Sequence, residues 1–186
     1  CFIRNMISFK ANYINDTNIK YLNKNGNYKN MPARLVELDI DSDLDLEALK
    51  KVEKNWKKGD DYAEYICRAF KEYHDKIKIN EAEKFYALTS QYGGYENLDG
   101  NKILGVAQVY KEAGDSLEIE FLQTNPQYKY GIENRKIKHI GKAITLSLKK
   151  LYKNNEISLF STTVGRPFYK KLGFETVIDA FMVLKH

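Results

Sequence analysis

Hydrophobic and polar residues alternate in several short stretches of this chain, which is the pattern of strands with one buried face. The first clear example is Val36, Leu38 and Ile40, which alternate with acidic residues. Three further strands are predicted in succession from the glycine-containing turns that join them, as in a meander of antiparallel strands. We therefore predict strands at Lys84–Gln91, Lys102–Lys111 and Leu117–Thr124.

A second pattern, with apolar residues three or four positions apart, predicts helices. Ser42 or Asp43 caps a helix that runs to about Trp56, and another helix runs from Asp61 to about His74. The later elements, in order, are a helix at Ile140–Tyr152, a strand at Ile157–Ser161, a short helix ending at Leu172 and a strand near Ala180–Leu184. This order predicts an α/β or α+β fold, with a mixed and mostly antiparallel central sheet flanked by helices.

The composition fits one folded domain. The chain has 186 residues, of which 43% are hydrophobic, enough for a core that needs neither disulfides nor metal. Residues 1–33 are asparagine-rich and weakly patterned, and Asn25-Gly26 is a turn signal, so we expect an N-terminal extension that could form an edge hairpin. Residues 34–186 are then expected to form a single domain.

Three features bear on localisation and on the kinds of partner. The sequence has neither an apolar run as long as a membrane span, about 20 residues, nor a signal-peptide pattern. Its two cysteines, Cys1 and Cys67, match neither a disulfide framework nor a metal motif, and its three histidines lack the spacing of metal ligands. We therefore expect a cytoplasmic protein without a membrane partner or a catalytic metal.

The net charge of +5 is unevenly distributed. Acidic residues occupy every second position of Glu37–Glu47, whereas Lys129–Lys153 is rich in basic residues and contains a single acid. The acidic run could attract a cationic acceptor, but its regular alternation favours a solvated strand and helix start. The basic segment could hold a small polyanion or a nucleic acid. Its last lysines are better explained as a solvated helix face: Lys149, Lys150 and Lys153.

A phosphate-binding pattern lies at the start of the predicted long helix. In Lys138–Ala143 a basic residue is followed, after two positions, by Gly141, and then by a small residue at Ala143. A glycine there lets a phosphate approach the backbone, and the N–H groups and dipole of a helix start favour negative charge. The segment is neither a Walker loop nor a GxGxxG turn. A second motif, FYKKLGF, occupies Phe168–Phe174.

These two motifs, in this order and behind a strand, resemble the GNAT superfamily of acyl-CoA-dependent N-acyltransferases. The resemblance covers about Leu35 to Leu184 in the order of elements and is most specific over Leu117–Phe174. It implies the GNAT fold, acetyl-CoA as co-substrate, and direct attack of an acceptor amine without a covalent enzyme intermediate. The chain departs from the family's pattern at Thr162 and Gly165, where asparagine and alanine are usual.

The resemblance also implies roles for particular residues. The backbone at the end of the fourth strand would pair with the pantetheine arm, at Leu122, Gln123 and Thr124. The turn into the helix would hold the pyrophosphate, at Lys138, His139, Ile140, Gly141, Lys142 and Ala143. Tyr169 would protonate the departing thiolate, which needs a nearby proton donor. Four aromatic residues lie where the family's first two helices wall the acceptor site, most of them expected in the core: Trp56, Tyr62, Tyr65 and Tyr73.

An acceptor amine must be neutral to attack, so a base or a chain of water molecules is needed. Glu118 stands where some members of the family carry a catalytic glutamate, and Glu120 is the second candidate. Strand alternation predicts that both share one face with Leu122 and Thr124. Burial of one glutamate beside the other would raise a pKa toward a useful range. The alternative is that both face solvent.

We expect the acceptor to be an amine of a small molecule or of a protein. Two alternatives stay open. One is an amine carried by a nucleic acid, such as aminoacyl-tRNA, steered by the basic segment. The other is a module that binds acyl-CoA without catalysing transfer. Neither the preferred acyl group nor the oligomeric state follows from the sequence, and a homodimer is left open.

Overall fold

The structure is a computed structural model that describes residues 10–57, 62–78, 82–111, 116–129 and 131–184. In these residues the chain forms nine β-strands and four α-helices. The strands are β1 (Asn12–Leu22), β2 (Tyr28–Leu38), β3 (Glu83–Thr89), β4 (Ile103–Lys111), β5 (Ser116–Thr124), β6 (Ile137–Lys138), β7 (Glu156–Phe160), β8 (Glu175–Ile178) and β9 (Phe181–Leu184). The helices are α1 (Asp43–Trp56), α2 (Tyr62–His74), α3 (Ile140–Leu151) and α4 (Arg166–Lys170).

These strands form one sheet in the order β6-β1-β2-β3-β4-β5-β7-β9-β8. Neighbouring strands are antiparallel except β5 and β7, which are parallel because the chain crosses over through α3 between them. The mixed, mostly antiparallel sheet flanked by helices is the predicted fold class, which is therefore confirmed. The predicted meander corresponds to β3, β4 and β5.

The first two strands form a long antiparallel hairpin around the turn at Asn25-Gly26. Gly26 has a φ of 76°, which glycine adopts without strain. β2 also pairs with β3, and β1 pairs with β6, so the hairpin lies between the meander and β6. The division into residues 1–33 and 34–186 stays a prediction. Position 33 falls inside β2, and residues 1–9 lie outside the described part of the chain.

Helices cover both faces of the sheet, and each face has its own hydrophobic cluster. On one face α1 and α2 bury Leu49, Val52 and Trp56, the three residues whose spacing predicts α1. On the opposite face α3 buries Ile140 and Ile144 against the central strands. Each large apolar side chain that becomes fully buried stabilises the fold by roughly 1.5–3 kcal/mol. The sheet is thus fixed between two helical layers, and the ends of β5 and β7 lie between them.

One residue of the acidic run is not solvated, which corrects the sequence prediction. Ser42 is the N-cap of α1, and its Oγ accepts a hydrogen bond from the N–H of Asp45 at 3.2 Å. The Asp45 side chain turns inward, is fully buried, and accepts a hydrogen bond from the N–H of Asp39 at 2.8 Å. Burial raises the pKa of the Asp45 carboxyl to about 6, although that hydrogen bond opposes the shift.

The substitution Asp45→Asn is expected to stabilise the protein at pH 7.5 by about 3 kcal/mol, given a pKa difference of roughly two units. The folded protein binds the Asp45 proton more tightly than the unfolded chain, so the contribution of Asp45 to stability falls as the pH rises from about 4 to about 6. Asparagine keeps the acceptor oxygen and removes the ionisation. Urea unfolding of both proteins at pH 4 and pH 7.5 tests this, because other titrating groups cancel in the comparison. A difference that is equal at the two pH values would contradict it.

Candidate active site

The candidate site lies where β5 and β7 separate. β7 pairs with β5 only from Ser116 to Ile119, opposite Glu156 to Leu159. From Glu120 to Thr124, β5 continues alongside β4, but no described strand pairs with its other edge. The two strands therefore open a gap, and the backbone N–H and C=O groups of β5 border it.

A β-bulge decides which side chains of β5 face each layer of helices. Val109 pairs with Ile119 and Gln108 pairs with Phe121, so Glu120 is an extra residue in β5. An extra residue shifts the alternation of side chains by one position beyond it. Phe121 consequently packs on the α2 side, where its ring stacks on that of Tyr65.

The bulge makes one sequence prediction wrong. Glu118 and Glu120 do not share a face with Leu122 and Thr124. The two glutamates line a cavity on the α2 side, whereas Leu122 packs into the cluster on the α3 side and Thr124 lies close to Gly141 there. The two predicted base candidates thus have their side chains on the face of β5 opposite to those of Leu122 and Thr124.

The cavity on the α2 side spans the gap between β5 and β7 and has a volume of about 420 Å³. One wall comes from α2 and its following turn, the opposite wall from β3, β4 and β5, and the rim from the end of β7. The lining residues are Tyr65, Ala69, Tyr73, Lys78, Glu83, Gln108, Glu118, Glu120, Phe121 and Phe160. Both predicted base candidates are therefore at one cavity, beside the free edge of β5.

Two of the carboxylates are linked by an amide. The side-chain Nε2 of Gln108 donates to Oε2 of Glu83 at 3.2 Å and to Oε2 of Glu120 at 2.7 Å. Burial raises the pKa of Glu120 to about 7, and the nearby charge of Glu83 adds to the shift, while Lys78 opposes it. A carboxylate with this pKa can both accept and release a proton near neutral pH.

The neighbour that raises the pKa of Glu120 is Glu83, not Glu118. Sequence reasoning missed Glu83 and Gln108, since their roles depend on the register of three strands. One signal was present: Gln108 is a lone polar residue within an otherwise apolar stretch from Ile103 to Val109. A buried glutamine needs polar partners.

The four aromatic residues of the first two helices were expected mostly in the core, with one or two lining a pocket. Tyr65 and Tyr73 line the cavity. Trp56 is buried in the hydrophobic cluster between α1 and the sheet, as expected for most of the four, and the side chain of Tyr62 lies outside the described part of the structure. α2 thus contributes two tyrosines to the cavity.

On the other face of the sheet, the start of α3 lies against β5. A Cβ atom built on Gly141 would be 3.4 Å from Cζ of Phe168, 3.5 Å from Cδ2 of Leu122 and 3.7 Å from Cγ2 of Thr124. These are ordinary van der Waals distances, so a methyl group on Gly141 would just contact side chains of β5 and α4. The structure therefore brings together the three segments that the sequence motifs single out: the end of β5, the turn into α3, and FYKKLGF.

The start of α3 presents backbone N–H donors that precede its intrahelical hydrogen bonds. His139 is the N-cap, with a φ of 70° and without a capping bond from its side chain. The first helical hydrogen bond runs from the N–H of Ala143 to the C=O of His139 at 2.9 Å, so the N–H groups of Ile140, Gly141 and Lys142 precede the intrahelical pattern. Ile140 and Ala143 have buried side chains, so only their backbone could contact a ligand.

Basic side chains surround this helix start. The pKa of His139 is lowered by burial and then by the positive charges of Lys142, Arg135, Lys20 and Lys138. Lys138 is held in place, with its Nζ 3.7 Å from the centroid of the Tyr28 ring, in a cation–π contact. A helix start with these donors and several cations favours a bound anion.

Tyr169 lies in α4, within FYKKLGF, beside Phe168. Its ring packs edge-on against the rings of Phe168 and Phe174, with centroid distances of 4.9 and 5.6 Å. Burial raises the pKa of Tyr169 to about 12. Its hydroxyl therefore stays protonated throughout the neutral range, as a proton donor must.

Gln123 has an unexpected side chain. It pairs with Val106, whose side chain belongs to the cluster on the α2 side, so Gln123 faces that side too. The residue is only 8% exposed, and among the described residues neither its side-chain oxygen nor its nitrogen has a hydrogen-bond partner. A buried amide left unpaired costs about 1–3 kcal/mol, so a polar group of a ligand or water is expected to contact it.

Three further features of the described residues concern metal binding, membrane crossing and cysteine reactivity. They contain no group of three or more His, Cys, Asp and Glu side chains arranged to hold a metal ion. No helix among them is both long and apolar enough to cross a bilayer. Burial raises the pKa of the Cys67 thiol to about 12, so this cysteine is not an activated nucleophile.

Comparison with known proteins identifies the fold. No family model and no curated protein sequence matches the chain. Solved structures do match. A protein assigned to the GNAT family of acetyltransferases, from Desulfovibrio desulfuricans, is 12% identical, with a TM-score of 0.53 over 81% of this chain and 96% of its own. A protein assigned as an N-acetyltransferase, from Lactobacillus plantarum, is 9% identical, with a TM-score of 0.52 over 81% of this chain and 94% of its own.

A third match is AtaTR with bound acetyl-CoA, which is 12% identical, with a TM-score of 0.54 over 82% of this chain and 92% of its own. At these low sequence identities the similarity is one of fold. The mixed, mostly antiparallel sheet flanked by helices is in agreement with it. The chain therefore has a GNAT-like fold.

Proposed function

We propose that this protein transfers an acetyl group from acetyl-CoA to an acceptor amine. The observation that supports the proposal is the opening between β5 and β7. It has an anion-attracting helix start on one face of the sheet and a cavity lined by carboxylates on the other. Acetyl-CoA suits this opening, because its charged pyrophosphate can bind at the helix start while its long thioester arm extends toward the cavity. Acetyl-CoA is bound in one structure of similar fold.

In the proposed complex the start of α3 holds the pyrophosphate. The N–H groups that follow His139 donate to its oxygens, and the cations around Lys142 offset its charge. The pantetheine arm extends along the free edge of β5, where it makes backbone hydrogen bonds at Leu122, Gln123 and Thr124. The buried amide of Gln123 offers one further donor and acceptor.

The reaction needs one base and one acid. The amine nitrogen attacks the thioester carbonyl carbon, a C–N bond forms and the C–S bond breaks. The proton lost by the amine goes to a glutamate of the cavity, and the departing thiolate takes a proton from Tyr169. Glu120 suits the role of base because its pKa is about 7. Glu118 lines the same cavity and remains the second candidate.

The acidic cavity bears on the alternative acceptors. A phosphodiester chain at its mouth would meet Glu83, Glu118 and Glu120, and like charges repel. This disfavours an amine carried by a nucleic acid. The cations around His139 lie at the start of α3, on the opposite face, where in this proposal they offset the charge of the pyrophosphate.

The substitution Lys142→Glu is expected to weaken acetyl-CoA binding at least about tenfold, or ~1.4 kcal/mol, because it places a negative charge beside the pyrophosphate. Lys150→Glu is the matched control, since it makes the same change in the last turn of the same helix. A glutamate in the first turn of a helix does not destabilise it, so loss of folding does not explain the effect. Calorimetric titration of the wild type and both variants with acetyl-CoA measures the three dissociation constants. Equal dissociation constants for the two variants would contradict the assignment.

A further inference from the structure

We propose that the side-chain amide of Gln123 binds the amide groups of the pantetheine arm of acetyl-CoA, and is thus a specificity-determining residue for the co-substrate. The proposal rests on the proposed function, which places the arm along the edge of β5 that β7 leaves. It adds a side-chain contact to the backbone pairing proposed there. Three observations carry it: the unpaired atoms of this amide, its apolar surroundings, and its place along β5.

The amide of Gln123 has no hydrogen-bond partner among the described residues. Its side-chain nitrogen and oxygen are both buried, and the residue is 8% exposed. It is the only amide side chain in the described ranges with both polar atoms in this state; in Asn15 the oxygen alone is buried and unpaired. An unpaired buried amide destabilises a fold, so it is expected where a ligand supplies the missing partners.

The neighbouring side chains on the same face cannot supply these partners. Gln123 lies opposite Val106 of β4 and shares its face with Phe121, two positions earlier in β5. Val106 is fully buried in the hydrophobic cluster on the α2 side, and Phe121 packs against that cluster. Both side chains are apolar. The other edge of β5 borders the gap at this position, because β7 pairs with β5 only as far as Ile119. The partners are therefore expected from the gap.

The position of Gln123 along β5 indicates which part of the co-substrate it meets. The next residue, Thr124, lies near Gly141 at the start of α3, where the pyrophosphate is proposed to bind. The proposed base, Glu120, is three residues earlier, roughly 10 Å along a strand. Gln123 therefore lies between the pyrophosphate and the reacting thioester. The part of acetyl-CoA that joins these two groups is the pantetheine arm, which contains two secondary amides.

The chemistry of the arm matches both polar atoms of the Gln123 side chain. Its Nε2 needs an acceptor and its Oε1 needs a donor. Each secondary amide has one carbonyl and one N–H group, so the arm supplies both kinds of partner, in addition to those that pair with the backbone of β5. The ionised pyrophosphate and the acetyl carbonyl offer acceptors alone. A side chain that needs a donor and an acceptor at this place thus selects the arm.

Gln123→Met tests the proposal, because methionine keeps the length of the side chain and removes both polar atoms. Calorimetry should show that acetyl-CoA and CoA, which both carry the arm, bind at least about tenfold more weakly than to the wild type. Adenosine 3′,5′-bisphosphate lacks the arm, and its affinity should change by less than about twofold. Gln127→Met is the matched control. Gln127 is exposed in the short turn after β5, so the same change there should alter none of the three affinities.

The stability of the protein without ligand gives a second readout. Gln123→Met removes an unpaired buried amide, so the melting temperature should rise, by about 2 °C or more. A glutamine with a purely structural role would give a lower melting temperature instead. Gln123→Asn keeps an amide but withdraws it from the gap by one methylene group. It should also weaken acetyl-CoA binding, and it provides the binding test if the methionine variant does not fold.

The outcomes separate this contact from the proposed function. A wild type that binds neither acetyl-CoA nor CoA contradicts both. Acetyl-CoA binding that depends on Gln123, in a protein that acetylates no amine, supports the contact and contradicts the transfer reaction. A wild type that acetylates an amine, with a Gln123→Met variant that binds acetyl-CoA as tightly, overturns the contact and leaves the function intact. Equal weakening of acetyl-CoA and adenosine 3′,5′-bisphosphate also overturns it, as does weakening of acetyl-CoA but not of CoA, or a lower melting temperature.

Discussion

Glu120→Gln is expected to lower kcat/KM for acetyl transfer at pH 8 by about 100-fold or more, within the range for loss of a general base. In the wild type, kcat/KM should rise with pH and level off above about 7, because burial and the charge of Glu83 raise the pKa of Glu120 to that value. The amine can give its proton only to the ionised carboxylate, so activity is lost as the pH falls below the pKa. Glutamine keeps the size and the hydrogen-bonding capacity of the side chain. It removes the ionisation, and therefore also the rise of kcat/KM with pH.

Two other glutamates make this prediction specific. Glu118→Gln tests the second candidate, and a loss there with normal activity in Glu120→Gln would place the base at Glu118. Glu83→Gln removes the negative charge next to Glu120, so the pKa of Glu120 should fall and the activity profile should move to lower pH. An unmoved profile would mean that another group controls it. Initial rates from pH 5.5 to 9, with acetyl-CoA saturating, provide the measurement.

The elements of the fold could be predicted because their patterns are local. The run of apolar residues in Ile103–Lys111 and the helical spacing of Leu49, Val52 and Trp56 are both determined by which side chains a regular element must bury. The start of α3 is similar, since Gly141 and its basic neighbours stand together in the sequence. The order of these elements then leaves few arrangements of the sheet.

The arrangement of the cavity could not be predicted in the same way. The bulge at Glu120 depends on how β5 pairs with β4, and neither glycine nor proline marks it in the sequence. Without the bulge, Phe121 and Gln123 would face α3. Likewise, Gln108 joins Glu83 to Glu120 only because β3 and β5 lie on either side of β4. Asp45 is a third case, since nothing in its acidic surroundings indicates that its carboxylate is buried.

Tyr169→Phe is expected to lower kcat by about 100-fold, within the range for loss of a general acid, and to change the dissociation constant of acetyl-CoA by less than about twofold. The hydroxyl is lost, but the ring contacts with Phe168 and Phe174 are kept, so the start of α3 and its phosphate donors stay in place. Single-turnover rates and calorimetry separate the two effects. Tyr152→Phe is the matched control, because it removes a hydroxyl that bonds to Tyr86 at the other end of α3. It should lower the melting temperature and leave kcat unchanged.

The raised pKa of Tyr169, about 12, bears on how the proton is transferred. Tyr169 is a weaker acid than free tyrosine, so it cannot release its proton before the C–S bond breaks. Burial that disfavours a phenolate also disfavours a thiolate in the same surroundings, and therefore raises the proton affinity of the leaving sulfur as its charge develops. Transfer should then accompany bond cleavage, and a solvent isotope effect on kcat should be present in the wild type and smaller in Tyr169→Phe. An unchanged kcat in Tyr169→Phe would remove this residue from the mechanism.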